Sequence, residues 1–131
     1  MMIKFTRDDL ITEPPGIPTL SKTPNFVNRP LAIVDFEFTL YCGKPYVILE
    51  DFEMGLVKTC STHVHAQSLR LSKKLELDKD FYDPDTPRPY VPAIIKDVSG
   101  HTYRKFMLLP LSGEELDMLK ERLALHNVTQ I

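Results

Sequence analysis

Val34-Asp35-Phe36-Glu37-Phe38-Thr39-Leu40 alternates apolar and polar side chains without a break. A β-strand throws successive side chains to opposite faces. The stretch therefore predicts a half-buried strand with Val34, Phe36, Phe38 and Leu40 on one face and Asp35, Glu37 and Thr39 on the other. The same period continues along the chain. Residues 31–41 and 45–49 flank Cys42-Gly43-Lys44, a short connection with the glycine that hairpin turns favour. A third strand is expected over 56–65, entered through Met54-Gly55. In 69–77, Leu69, Leu71, Leu75 and Leu77 keep period two with Lys73 as the misfit, which predicts a strand. Residues 78–89 read as a loop, rich in Asp and Pro. Residues 90–98 and 101–109 read as a second hairpin around Ser99-Gly100.

The ends of the chain are written differently. Residues 1–30 carry Pro14, Pro15, Pro18, Pro24 and Pro30, which cannot sustain a helix or an inner strand. They predict an extended arm, with a short element over 3–10. Ile17, Leu20, Phe26 and Val27 give that arm something to dock with, on a partner or on a second subunit to make a homo-oligomer. Near the C-terminus, Ser112-Gly113-Glu114-Glu115 has capping-box spacing, and Leu111 can pack on Leu116 as a hydrophobic staple. Leu116, Leu119 and Leu123 then recur at helical spacing, predicting a helix over 113–125. Residues 31–131 thus read as one β-rich α+β domain. Its sheet is expected to be a mostly antiparallel meander or a partly closed, OB-like barrel, covered by one C-terminal helix. The expected core is Val34, Phe36, Phe38, Leu40, Val47, Leu49, Leu56, Ile94, Phe106, Leu108, Leu116, Leu119 and Leu123.

Composition narrows the function classes. At 131 residues the chain suffices for one core and is too short for two. A net charge of −2 argues against a general polyanion binder, although it leaves room for a local basic patch. The two cysteines, Cys42 and Cys60, make neither a zinc-finger pairing nor a secreted-type framework. With no signal-like stretch and no run of about 20 apolar residues, a cytoplasmic protein without a membrane partner is expected.

Four constellations could carry chemistry. Asp35-Phe36-Glu37 and Asp51-Phe52-Glu53 stand on either side of the first hairpin, so that Glu37 is expected roughly opposite Glu50 and Asp35 near Phe52 and Glu53. Asp35, Glu37, Glu50, Asp51 and Glu53 would then form an acidic face suited to a basic protein surface. Residues 32–39 also resemble the first metal-binding motif of proofreading-type 3′–5′ exonucleases, in which a strand presents Asp and Glu two residues apart to divalent cations. That resemblance implies a metal-dependent phosphodiesterase using Asp35 and Glu37; the later Asp and His motifs of the family have no convincing counterparts. In Cys60-Ser61-Thr62-His63-Val64-His65, a strand would put His63 and His65 on one face with Cys60 on the other, half a zinc site at best.

The last hairpin interleaves Lys96, His101, Tyr103, Arg104 and Lys105. Cations along a backbone with rings for bases are the means by which single-stranded nucleic acid is commonly held. Asp78, Asp80, Asp83 and Asp85 lack the glycine and closing glutamate of a calcium loop. No serine sits in a glycine-framed elbow, and no glycines cluster into a phosphate loop. No cofactor and no metal is expected. The sequence favours a small non-enzymatic binding protein, docking a protein partner or single-stranded nucleic acid, over the phosphodiesterase.

Overall fold

The first hairpin follows from its turn chemistry. Strands β1 (Pro30–Tyr41) and β2 (Lys44–Asp51) are joined by Cys42 and Gly43 alone, and Tyr41 pairs with Lys44. Both turn residues have positive φ, +51° and +78°. This is the mirror-image turn whose twist matches that of the strands it joins. The computed structural model describes residues 16–77 and 89–130; the short element expected over 3–10 and most of the Asp-rich loop lie outside them.

Strands β3 (Gly55–Thr59), β4 (Val91–Asp97) and β5 (Phe106–Pro110) complete an open antiparallel sheet in the order β3-β2-β1-β4-β5. The α+β, β-rich class holds, as an open sheet rather than a closed barrel. Two helices pack on it: α1 (Thr62–Leu77) and α2 (Gly113–Gln130). Among the described residues no helix is long and apolar enough to cross a membrane.

Helix α1 corrects two sequence readings. The third strand ends at Thr59 rather than at residue 65, and 69–77 is helical. Ser61 stops the strand and starts the helix, its Oγ accepting the Val64 N–H at 3.4 Å and its carbonyl the His65 N–H at 2.9 Å. Val64, Ser68 and Leu71, at i, i+4 and i+7, form the buried face, while Leu69 is exposed.

The sheet is apolar on both faces where the helices cover it. One cluster joins Val64 and Leu71 of α1 to Leu31, Ile33, Val47, Leu49, Val57, Val91, Ala93, Ile95, Phe106 and Leu108. The other joins Leu119 and Leu123 of α2 to Ala32, Val34, Tyr90, Ile94 and Leu111. Successive residues 31–34 therefore alternate between two cores, and all four are buried. Two covered faces give a run of apolar residues rather than a clean alternation.

At Val34 the register slips. Ile33 pairs with Asp51 and Asp35 with Glu50, leaving Val34 as the extra residue of a bulge. One inserted residue exchanges the faces of everything after it. Val34 belongs to the α2-side cluster, whereas Phe36 packs on the α1-side cluster. The expectation that Val34, Phe36, Phe38 and Leu40 share one face is thus overturned. Phe38 and Leu40 lie beyond the reach of β4, which pairs only with residues 30–33, and both are exposed. Leu56 is also exposed.

The Pro-rich segment contributes to the core. Two short 3-10 turns, Leu20–Lys22 and Pro24–Phe26, bury Leu20 and Phe26 in the α1-side cluster. The segment is tied at one end by the Lys58 N–H to the Pro18 carbonyl (3.0 Å). At the other end the Asn28 N–H donates to the Ile95 carbonyl (2.7 Å). Helix α2 opens on Gly113 with φ +62°, a left-handed residue. The expected cap is not made: Ser112 is exposed and has no side-chain hydrogen bond among the described residues. Arg122 fixes the helix instead, its Nε on Glu53 Oε1 at 2.8 Å and its Nη2 on the Pro30 carbonyl.

Candidate functional site

The two charged sets expected to act as surfaces have different fates. Asp51 is 2% exposed, and its carboxylate organises the backbone around it. Its Oδ1 accepts the Ala32 N–H at 2.8 Å, and its Oδ2 accepts those of Glu53 and Met54 at 3.1 and 2.9 Å. One side chain thereby stands in for the ladder beside the bulge and closes the β2–β3 turn. Burial pushes its carboxyl above the ordinary range, against the downward pull of the three N–H donors. Glu53 is engaged by Arg122 and, at 3.9 Å, by Arg29. The two-residue turn sets Asp35 opposite Glu50 and Glu37 opposite Ile48, not Glu37 opposite Glu50. Asp35, Glu37 and Glu50 are left as a smaller acidic face. Among the described residues no three Asp, Glu, His or Cys side chains are grouped as a metal site would need. On α1, His63 and His65 cannot share a face. His65 meets the Phe38 ring edge-on, with centroids 5.3 Å apart.

The basic-aromatic set is concentrated in the connection between β4 and β5, and this connection is ordered by its own hydrogen bonds. The Asp97 carboxylate accepts the Ser99 N–H at 2.9 Å, and Ser99 Oγ accepts the Lys105 N–H at 2.9 Å. Two backbone bonds, Val98 N–H to Lys105 O and Gly100 N–H to Tyr103 O, carry the pairing beyond the regular strands. Ser99, through its hydroxyl and N–H, holds the exposed Asp97 carboxyl below its usual range, with Arg104 adding to the effect. The Tyr103 ring lies on Gly100 so closely that a Cβ there would come within 2.5 Å of Cε1. Glycine at 100 is therefore what lets the ring lie against the loop, still 58% exposed.

Opposite this loop stands the start of α1. Thr59, Cys60, Ser61, Thr62 and His63 form one wall of a concavity of about 400 Å³, Tyr103, Arg104 and Lys105 the other, with Thr19 and Ser21 at the side and Phe106 among its lining. Ser61 is held in place from behind, its N–H donating to Thr59 Oγ1 at 3.1 Å. Two further hollows adjoin. One, about 410 Å³, is lined by Ser99, Gly100, His101, Thr102, Tyr103 and Arg104, with Asp97. Another, about 260 Å³, runs past Arg104 to Pro24, Val27 and Asn28. Arg104 borders all three, so the hollows meet at its side chain.

Of the residues expected in the basic-aromatic set, Tyr103, Arg104 and Lys105 share the main hollow and His101 the adjoining one. Lys96, on β4 and paired with Met107 of β5, lines none of the three. Residues 103–105 lie before β5, so strand alternation does not separate Arg104 from Tyr103 and Lys105. The opposite wall is missed by a reading that runs the third strand on through 60–63. Its signal is Ser61-Thr62, a helix cap, before Val64, Ser68 and Leu71. No family model, no curated protein and no solved structure compared with this chain matches it.

Proposed function

We infer that the protein is a small non-enzymatic binding module whose ligand is a single-stranded nucleic-acid segment held between the α1 N-terminus and the β4–β5 loop. The observation that carries this reading is the convergence of Tyr103, Arg104 and Lys105 on one concavity faced by the first residues of α1. An exposed ring gives a base a stacking surface, and Arg and Lys neutralise backbone charge. The hydroxyls of Ser21, Ser61 and Thr62 and the amide end of α1 add donors suited to phosphate oxygens. The overall charge of −2 does not oppose a local site of this kind, since the cations need only be local.

The test is titration of labelled single-stranded oligonucleotides at several salt concentrations. Affinity should fall steeply with added salt. Joint reversal of Arg104 and Lys105 to Glu should abolish binding, while reversal of Asp35 and Glu37 to Lys should leave it. Tyr103→Ala should weaken binding by about 1–3 kcal/mol for each stacked base lost. Gly100→Ala should weaken it too, by displacing the ring. No binding at low salt would overturn the reading. So would Mg²⁺-dependent cleavage of the oligonucleotide that is lost with Asp35 and Glu37, which would establish the phosphodiesterase instead.

A further inference from the structure

The β1 strand is covered on one side along its length by β2, but β4 pairs with it only at residues 30–33. Among the described residues nothing pairs with 34–41 from that side. In a hairpin closed by a two-residue turn the flanking pair is hydrogen-bonded, and so is every second pair after it. From Tyr41–Lys44, this makes Thr39 and Glu37 turn their backbone groups toward β2, and Phe36, Phe38 and Leu40 turn theirs outward. Two details agree with that assignment. Pro45, opposite Leu40, has no N–H to give, and the outward Phe36 N–H is taken by the Asp35 carboxylate at 2.9 Å. The open edge also carries exposed apolar side chains, Phe38 at 36% and Leu40 at 73%. An edge of this kind is a template for another strand.

We propose that the occupant is the same edge of a second copy, paired antiparallel about a two-fold axis through Phe38. The register is selected by charge and by fit. With Phe38 opposite Phe38 of the second copy, Phe36 stands opposite Leu40, so the strand side chains on one face of the junction are apolar, with His65 against each Phe38 ring. On the other face Glu37 stands opposite Thr39 and Asp35 opposite Tyr41, so no carboxylate lies directly opposite another. On pairing, the Phe36 N–H exchanges the Asp35 carboxylate for the Leu40 carbonyl of the second copy. Moving the register by two residues toward the N-terminus sets Glu37 against Glu37 and drives the second hairpin into β4. Moving it the other way centres the pair on Thr39, loses the Phe38–Phe38 contact and leaves Phe36 opposite a turn residue. In the favoured register Cys42 of the second copy falls opposite Val34 and its Gly43 opposite Ile33, the last residue that β4 pairs, so the tip of the turn abuts the start of β4. The two sheets become one continuous sheet, an isologous contact that closes on itself.

Sedimentation velocity across a concentration series tests this with the full chain. The native protein should dimerise. Thr39→Glu sets a new carboxylate against Glu37 at both symmetry-related positions and should weaken the dimer about tenfold. Thr39→Lys sets an ammonium there instead and should tighten it several-fold. Phe38→Pro removes the outward N–H without touching the bonds to β2 and should give a monomer. Far-UV circular dichroism distinguishes each from an unfolded chain. A native protein that stays monomeric up to millimolar concentration would overturn the proposal. A dimer indifferent to both Thr39 substitutions, or weakened equally by both, would do so as well.

Discussion

Asp51 shows how much of this fold passes through single side chains. Its three backbone donors come from β1 and from the β2–β3 turn, so Asp51→Ala strips a buried acceptor from three N–H groups at once. The loss should be about 3 kcal/mol or more, measured by chemical denaturation. The pH dependence has a definite sign. Burial raises the carboxyl's folded pKa, so between the ordinary carboxylate value and the raised one the folded chain binds more protons than the unfolded chain. Stability from this residue is then greatest in acid and declines as pH rises through that window. Asp51→Asn has no such titration. The native protein's advantage over that variant should shrink as pH rises from about 4 upward; an advantage that grows would show that the N–H donors outweigh burial. None of this is legible in the sequence, where Asp51 looks like one member of an acidic patch. Its partner at Ala32 is fixed by the bulge, a long-range feature that no local pattern encodes.

Among the elements, legibility follows how plainly the buried face is written. The first hairpin is legible because alternation and a Gly-containing turn agree. Helix α2 is legible from Leu116, Leu119 and Leu123, although its start is set by left-handed Gly113 rather than by Ser112. Helix α1 is not, because the middle of its buried face is Ser68 while exposed Leu69 supplies a false two-residue period. Ser68 is fully buried, and its Oγ has no hydrogen-bond partner among the described residues. A buried hydroxyl without a partner is destabilising, and Ala is the better helix former. Ser68→Ala should therefore raise stability, by about 1 kcal/mol, with the urea midpoint rising at unchanged slope. A fall would mean that the hydroxyl is bonded in solution. The disguise of α1 also hides half of the cleft. The loop residues Tyr103, Arg104 and Lys105 are visible as a basic-aromatic run, while the wall from Thr59 to His63 depends on the strand ending where it does.

At the scale of the whole molecule, the sheet is sealed on the α1 side by more than a helix. Leu20 and Phe26, 1% and 5% exposed, fill the α1-side cluster from a segment whose prolines suggest an arm around the domain. Composition marks the apolar residues of this segment as ready to dock, although Pro30 opens the inner strand β1. What sequence does not supply is the surface they dock on, which is the chain's own core. The physical reason for the prolines is visible in the result. Fixed φ values suit short turns, and a proline in a turn has no N–H left wanting a partner. Removal of residues 1–28 should therefore destabilise the domain rather than trim it. Losing a buried Phe alone costs about 3–5 kcal/mol and a buried Leu about 2–5, against a total stability of about 5–15 kcal/mol for a domain of ordinary kind. The truncated chain should melt far below the full one or fail to fold. Phe26→Ala in the full chain should show a smaller loss in the same direction. If the truncated protein kept the native melting temperature, Leu20 and Phe26 would be ornaments, and the sheet with its two helices would suffice.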